Sequence, residues 1–160
     1  MLATPELSVG KWAKALNDLS ALFSAVQSQT GDLSFQIVND IQRRRAEVER
    51  AYLDIVADAQ IAPTLIAANV SDRGGPSTNA ETASSHQALM AALDAWEPVV
   101  LVAARAPTKA AIVGVSSRNL NGVDLKQIEM ASSIPATFAD PIRTGAEANA
   151  VASALAALGA

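Results

Sequence analysis

Apolar residues recur along the first part of the chain at helical steps. Trp12, Leu16, Leu19, Phe23 and Val26 follow one another by four and three positions, which sets them on one stripe and predicts a helix over 11–29. Thr30-Gly31-Asp32 breaks the pattern, since Gly31 frees the backbone and Asp32 can cap a new helix. The stripe resumes through Leu33, Ile37, Ile41, Val48, Tyr52, Ile55 and Ala59 and predicts a second helix over 33–60, stopped by Pro63. So short a break implies an antiparallel helical hairpin, with a bent continuous helix as the alternative.

Beyond it, the run 71–78 with Gly74, Gly75 and Pro76 reads as a loop. Thr78 and Glu81 have the spacing of a capping box and open a third helix over 79–104. Its stripe is Leu89, Leu93, Trp96, Val100 and Ala103, and Pro98 inside it predicts a kink. The apolar runs 99–102 and 111–115 flank a polar stretch at 105–109, so a minor β-hairpin at 99–115 competes with helix there. Asp124 and Gln127 predict a short helix to about Ser133, and the two prolines of 134–141 predict an extended connector. Thr144 and Glu147 form a second capping-box pattern ahead of a last helix, 145–158. The expected fold class is mainly α: an antiparallel helical hairpin, a third kinked helix and a C-terminal helix, joined by extended connectors. The expected organisation is a single domain over 1–160, with a helical body at about 8–106 and a C-terminal extension at about 107–160.

Composition narrows the chemistry. Alanine supplies 34 of 160 residues, while there is one histidine and no cysteine. Disulfide frameworks and thiolate metal sites are therefore excluded, and no metal or other cofactor is expected. The net charge of −4 disfavours nucleic acid as a partner, because such binding draws on clustered cations. The N-terminal residues lack the basic-then-apolar pattern of a secretory signal. The apolar tract 99–115 is interrupted by Arg105, Pro107 and Lys109, so it is not expected to span a membrane.

Individual motifs offer little catalysis. His86 lies beside Ser84, Ser85 and Gln87, and its ordinary reading is an exposed or capping residue. Ser8-Val9-Gly10-Lys11 matches S-x-x-K, but the companion S-D-N and K-T-G motifs of penicillin-binding enzymes are missing. Arg43, Arg44 and Arg45 are the densest positive charge and the natural place for a phosphate contact. Consecutive helical residues nevertheless point about 100° apart, and Asp40, Glu47 and Glu49 stand at helical reach, so a charge ladder is the stronger reading.

These features predict a non-enzymatic structural subunit of a homo-oligomeric assembly, most concretely a phage or virus particle component such as a coat, connector or filament subunit. Helical hairpins with extended arms recur in such subunits, an analogy of architecture alone. Its partners would be copies of itself and other subunits of the same particle, located in the virion or the bacterial cytoplasm. The last helix offers the candidate interface: Val151, Leu155 and Leu158 form a thin apolar stripe, and small residues such as Ala148 and Ala152 permit close helix approach. A stand-alone helical adaptor, or an enzyme that gathers carboxylates and serines from distant positions, are the alternatives.

Overall fold

The computed structural model describes residues 5–28, 34, 36–105, 111–120, 123–131 and 145–160. The fold is mainly α. Five helices are described, α1 (Pro5–Ser28), α2 (Gln36–Ile61), α3 (Pro63–Asp72), α4 (Asn79–Arg105) and α5 (Ala146–Ala157), with strands β1 (Ala111–Leu120) and β2 (Val123–Ala131) between α4 and α5.

Helix α1 begins earlier than its stripe suggested. Pro5 has the fixed φ suited to a first helical position, and Val9 adds another buried member to the Trp12–Val26 row. Helices α1 and α2 pack as the expected antiparallel hairpin: Asp18 of α1 meets Arg44 of α2, while Lys11, nearer the start of α1, shares a cleft with Asp54, nearer the end of α2. Along α2, Ile41, Val48, Ala51 and Ile55 are buried, with Tyr52 partly so. Ile37, also on the stripe, is only partly buried. Arg44 and Arg45 occupy the stretch between Ile41 and Val48, where the apolar row is interrupted.

Ala62 stops α2, with φ −136° and ψ 65°, because the residue ahead of a proline is driven out of the helical region. Pro63 then starts α3, which buries Ile66 and Val70. In the loop that follows, Gly75 lies against Val70 and the Leu158 carbonyl. The cap at the start of α4 forms as its spacing predicted on one side: the Glu81 amide donates to Thr78 Oγ1 at 3.0 Å. The Glu81 carboxylate reaches one residue further back than a capping box requires and accepts from the Ser77 amide and hydroxyl.

Helix α4 runs on through Pro98 to Arg105. The β-hairpin alternative at 99–115 is thereby corrected: residues 99–105 are helical, and Val100 and Ala103 continue the buried stripe of Leu89, Leu93 and Trp96. By length and composition alone, Asn79–Ala104 could also cross a membrane, but the side chains that make it apolar include this core stripe. The strands lie further on. β1 and β2 pair antiparallel from Ala111↔Ala131 to Leu120↔Val123, so the helix expected over 124–133 is strand through Ala131. Between Ile112 and Gly114 the register shifts, and β1 holds one residue, Val113, more than β2.

Helix α5 returns to the body. Ala148, Val151, Ala154, Leu155 and Leu158 join one core with Trp12, Leu16, Leu93 and Trp96, and Phe23 meets Trp96 edge to face at 4.9 Å. Gly145 rather than Thr144 stands at the N-cap of α5 and makes no side-chain cap bond. Thr144 and the connector 134–141 lie outside the described residues.

Candidate functional site

The three consecutive arginines point three ways, as the helical rotation requires. Arg43 pairs with Asp40 at 3.2 Å on the open surface. Arg44 turns towards α1 and contacts Asp18 at 3.6 Å and Glu47 at 3.1 Å. Arg45 turns to the opposite neighbour, donating from Nη1 to Asp94 and to Glu97 of α4 at 3.4 Å, with Glu49 at 3.8 Å from its Nε. Burial alone would lower the Arg45 pKa; the hydrogen bond and charge of Asp94, then those of Glu97, outweigh this and raise it. Each guanidinium thus faces carboxylates of its own chain, Arg43 within α2, Arg44 also across to α1 and Arg45 across to α4, and the three do not converge on a phosphate.

Pro98 sharpens the role of Arg45. A proline at this position has no N–H for the carbonyl four residues earlier, that of Asp94, so the α4 ladder loses a bond there. The side chains on that weakened turn, Asp94 and Glu97, are the ones Arg45 holds. Helical spacing foresaw Glu49 as a partner. The α4 partners, 49 and 52 residues away, carry no sequence signal.

His86 departs from its expected exposure. It is buried, at 7% exposed, and stacks on Tyr52 of α2 with ring centroids 3.9 Å apart and planes 13° from parallel. Its Nδ1 is buried with no hydrogen-bond partner among the described residues. Burial lowers its pKa; Glu49 acts weakly against this and Arg45 with it. Among the described residues no group of three His, Cys, Asp or Glu side chains is placed to hold a metal ion.

The residues named as interface candidates in α5 are divided by the fold. Ala148, Val151, Leu155 and Leu158 are buried in the chain's own core, and Ala152 is exposed. The end of α5 is closed by a Schellman turn: the Ala160 amide bonds the Leu155 carbonyl, the Gly159 amide bonds that of Ala156, and Gly159 adopts φ +82°. Arg73, from the loop after α3, donates to the Leu158 carbonyl and stacks over the Trp12 ring at 5.0 Å. That loop therefore ties α1, α3 and α5 of one chain together.

A shallow cleft of about 310 Å³ runs between α1 and α2, floored by Ala15 and Ala51 and lined by Lys11, Lys14, Asp18, Glu47, Arg50 and Asp54. Its mixed charges offer no uniform field for an anionic or cationic ligand.

The hairpin is the other feature that periodicity missed. Its strands form a two-stranded sheet, and the paired residues Leu120 and Val123 are separated by Asn121 and Gly122. Asn-Gly between two strand runs is the strongest short-range hairpin signal and was present to be read. No protein-family model matches the chain, and neither curated proteins nor solved structures give a match.

Proposed function

We propose that this protein is a non-enzymatic structural subunit that assembles with copies of itself, most concretely a coat, connector or filament component of a phage or virus particle, and that the β1–β2 hairpin is its joining arm. The observation that carries this reading is the hairpin itself. Strands of ten and nine residues make a sheet of two, and the outer edge of each has no strand partner among the described residues. A lone two-stranded hairpin is marginal in water, and its open edges present unpaired backbone N–H and C=O groups to a further strand. A strand from a neighbouring copy would satisfy both needs by β-augmentation. Pairing of β1 with a neighbour's β2 is heterologous and builds rings or filaments; pairing of like edges closes a dimer.

The helical body suits that role, since Arg44 and Arg45 and the Phe23–Trp96 and Tyr52–His86 ring pairs hold helix on helix. Such a subunit would reside in the virion, or in the bacterial cytoplasm before assembly. The test is light scattering across a concentration series on the full chain and on a variant in which residues 111–131 are replaced by a short Gly-Ser linker. The full chain should form multimers, and the variant should be a helical monomer. A full chain that stays monomeric throughout overturns the proposal in favour of a stand-alone adaptor, and a variant that still multimerises moves the joint away from the arm.

A further inference from the structure

The seam between α2 and α4 is built from titratable side chains. At one end Tyr52 lies flat on His86. Further along, Arg45 grips Asp94 and Glu97. Glu49, one helical turn from both Arg45 and Tyr52, completes the row on α2.

Neutral and charged forms of His86 fit this seam very differently. The neutral ring has one N–H and one acceptor nitrogen and no net charge, so it rests on Tyr52 at the modest cost of one buried polar atom without a partner. The imidazolium carries a charge and an N–H at both ring nitrogens, and its Nδ1 lies buried with no acceptor among the described residues. An unpaired charge in a dry site is costly, and relief comes from moving the ring to water. Of the charged groups on α2, Arg45 repels the imidazolium and Glu49 attracts it, but Glu49 already stands beside Arg45. On α4 itself, Asp94 and Glu97 lie two turns or more further on and are held by Arg45.

We propose that protonation of His86 releases its stack on Tyr52 and opens the α2/α4 seam at the first turns of α4, so that this junction is an acid-released clasp. The opening is local. Trp96 stays in its edge-to-face contact with Phe23 and Leu93 stays in the core, so the later turns of α4 remain in place.

The sign of the pH effect follows from burial. His86 is held below its unfolded value of about 6.5, so the folded protein binds fewer protons than the unfolded chain in the window beneath that value. The stabilisation is complete above about pH 6.5 and declines as pH falls towards the folded value. Burial is the leading cause, so the direction rests on the same geometry as the clasp.

The chain has a single histidine, so its imidazole resonances need no assignment. An NMR titration of the folded protein should give a midpoint below about 6.5, with amide protection factors across 80–90, corrected for intrinsic exchange at each pH, falling through the same midpoint. The thermal midpoint should drop between about pH 7 and about pH 5 in the native sequence, a drop that His86→Phe should remove while keeping an aromatic stack. Glu49→Gln, which removes the attracting charge, should move the His86 midpoint lower. A midpoint at or above about 6.5 overturns the proposal, as does exchange across 80–90 that ignores the titration. If His86→Phe does not fold, the titration and exchange of the native chain decide the matter.

Discussion

Arg73 and Leu158 are joined by a hydrogen bond that spans 85 residues of sequence: the guanidinium donates to the carbonyl that ends α5. The cation sits at the negative end of the α5 dipole and covers the Trp12 ring, so one side chain serves three elements. Burial lowers its pKa, yet guanidinium stays charged at any ordinary pH.

Arg73→Ala should therefore cost about 2–3 kcal/mol in urea unfolding, the range for a charge-assisted hydrogen bond with a cation–π contact added. Arg73→Lys should recover only part of this, because an ammonium cannot lie flat on the indole while reaching the carbonyl. A loss below about 0.5 kcal/mol for the alanine variant would show that the Arg73 contacts contribute little.

Two glycines should respond to alanine with opposite signs. Gly159 has φ +82°, and a Cβ there would stand 3.0 Å from the Arg73 carbonyl oxygen, so Gly159→Ala should destabilise by about 1–2 kcal/mol. Gly10 lies within α1 with open space where a Cβ would go, and Gly10→Ala should stabilise by about 0.5–1 kcal/mol. Thermal unfolding of both variants checks the pair; equal signs would contradict the described backbone.

Core and staple should also separate. Leu16→Ala, Leu19→Ala and Leu93→Ala empty fully buried sites and should each cost about 2–5 kcal/mol, whereas Ile37→Ala, at a partly buried position, should cost less. Arg44→Ala should stay within about 1 kcal/mol, because its partners are solvated. Arg45→Ala should exceed it, since Glu97 loses a partner while largely shielded from water. A double-mutant cycle between Arg45 and Glu97 measures that coupling directly.

The single tyrosine sets an alkaline limit to match the acid one. Burial raises the Tyr52 pKa above its usual value near 10, so the folded chain holds its phenolic proton after the unfolded chain has released it. Stability from this source is complete below about pH 10 and is lost as pH rises through the folded value. Ultraviolet titration of the one phenol should show the raised midpoint, and Tyr52→Phe should flatten the alkaline loss.

The long helices were legible because each carries a buried stripe over several turns: Trp12 to Val26, Ile41 to Ile55, Leu89 to Ala103. Helix α3 was not, being ten residues between a proline and a glycine pair with only Ile66 and Val70 to mark a face. The strands were misplaced for a physical reason. Along the sequence Ile112, Val113, Val115, Leu120, Val123, Leu125, Ile128 and Met130 follow one another at steps of one, two, five, three, two, three and two. Neither a clean period of two nor one of 3.6 runs through that spacing. Of the candidate site, Arg45 was visible only as one of three arginines, and the burial of His86 depends on Tyr52 arriving from another helix.

The route of the chain gives the hairpin a mechanical setting. In sequence it stands between α4, which ends at Arg105, and α5, which begins at Ala146, helices that pack on each other. If the hairpin is the joining arm proposed above, a pull on it would be divided between α4 and α5. On the α5 side, the buried Ala148 and Val151 would then have to be drawn out before the strain reached Leu158, where Arg73 fastens the far end. The fastening thus sits at the end of α5 remote in sequence from the hairpin, and a tug that loosened the first turns of α5 would leave it engaged.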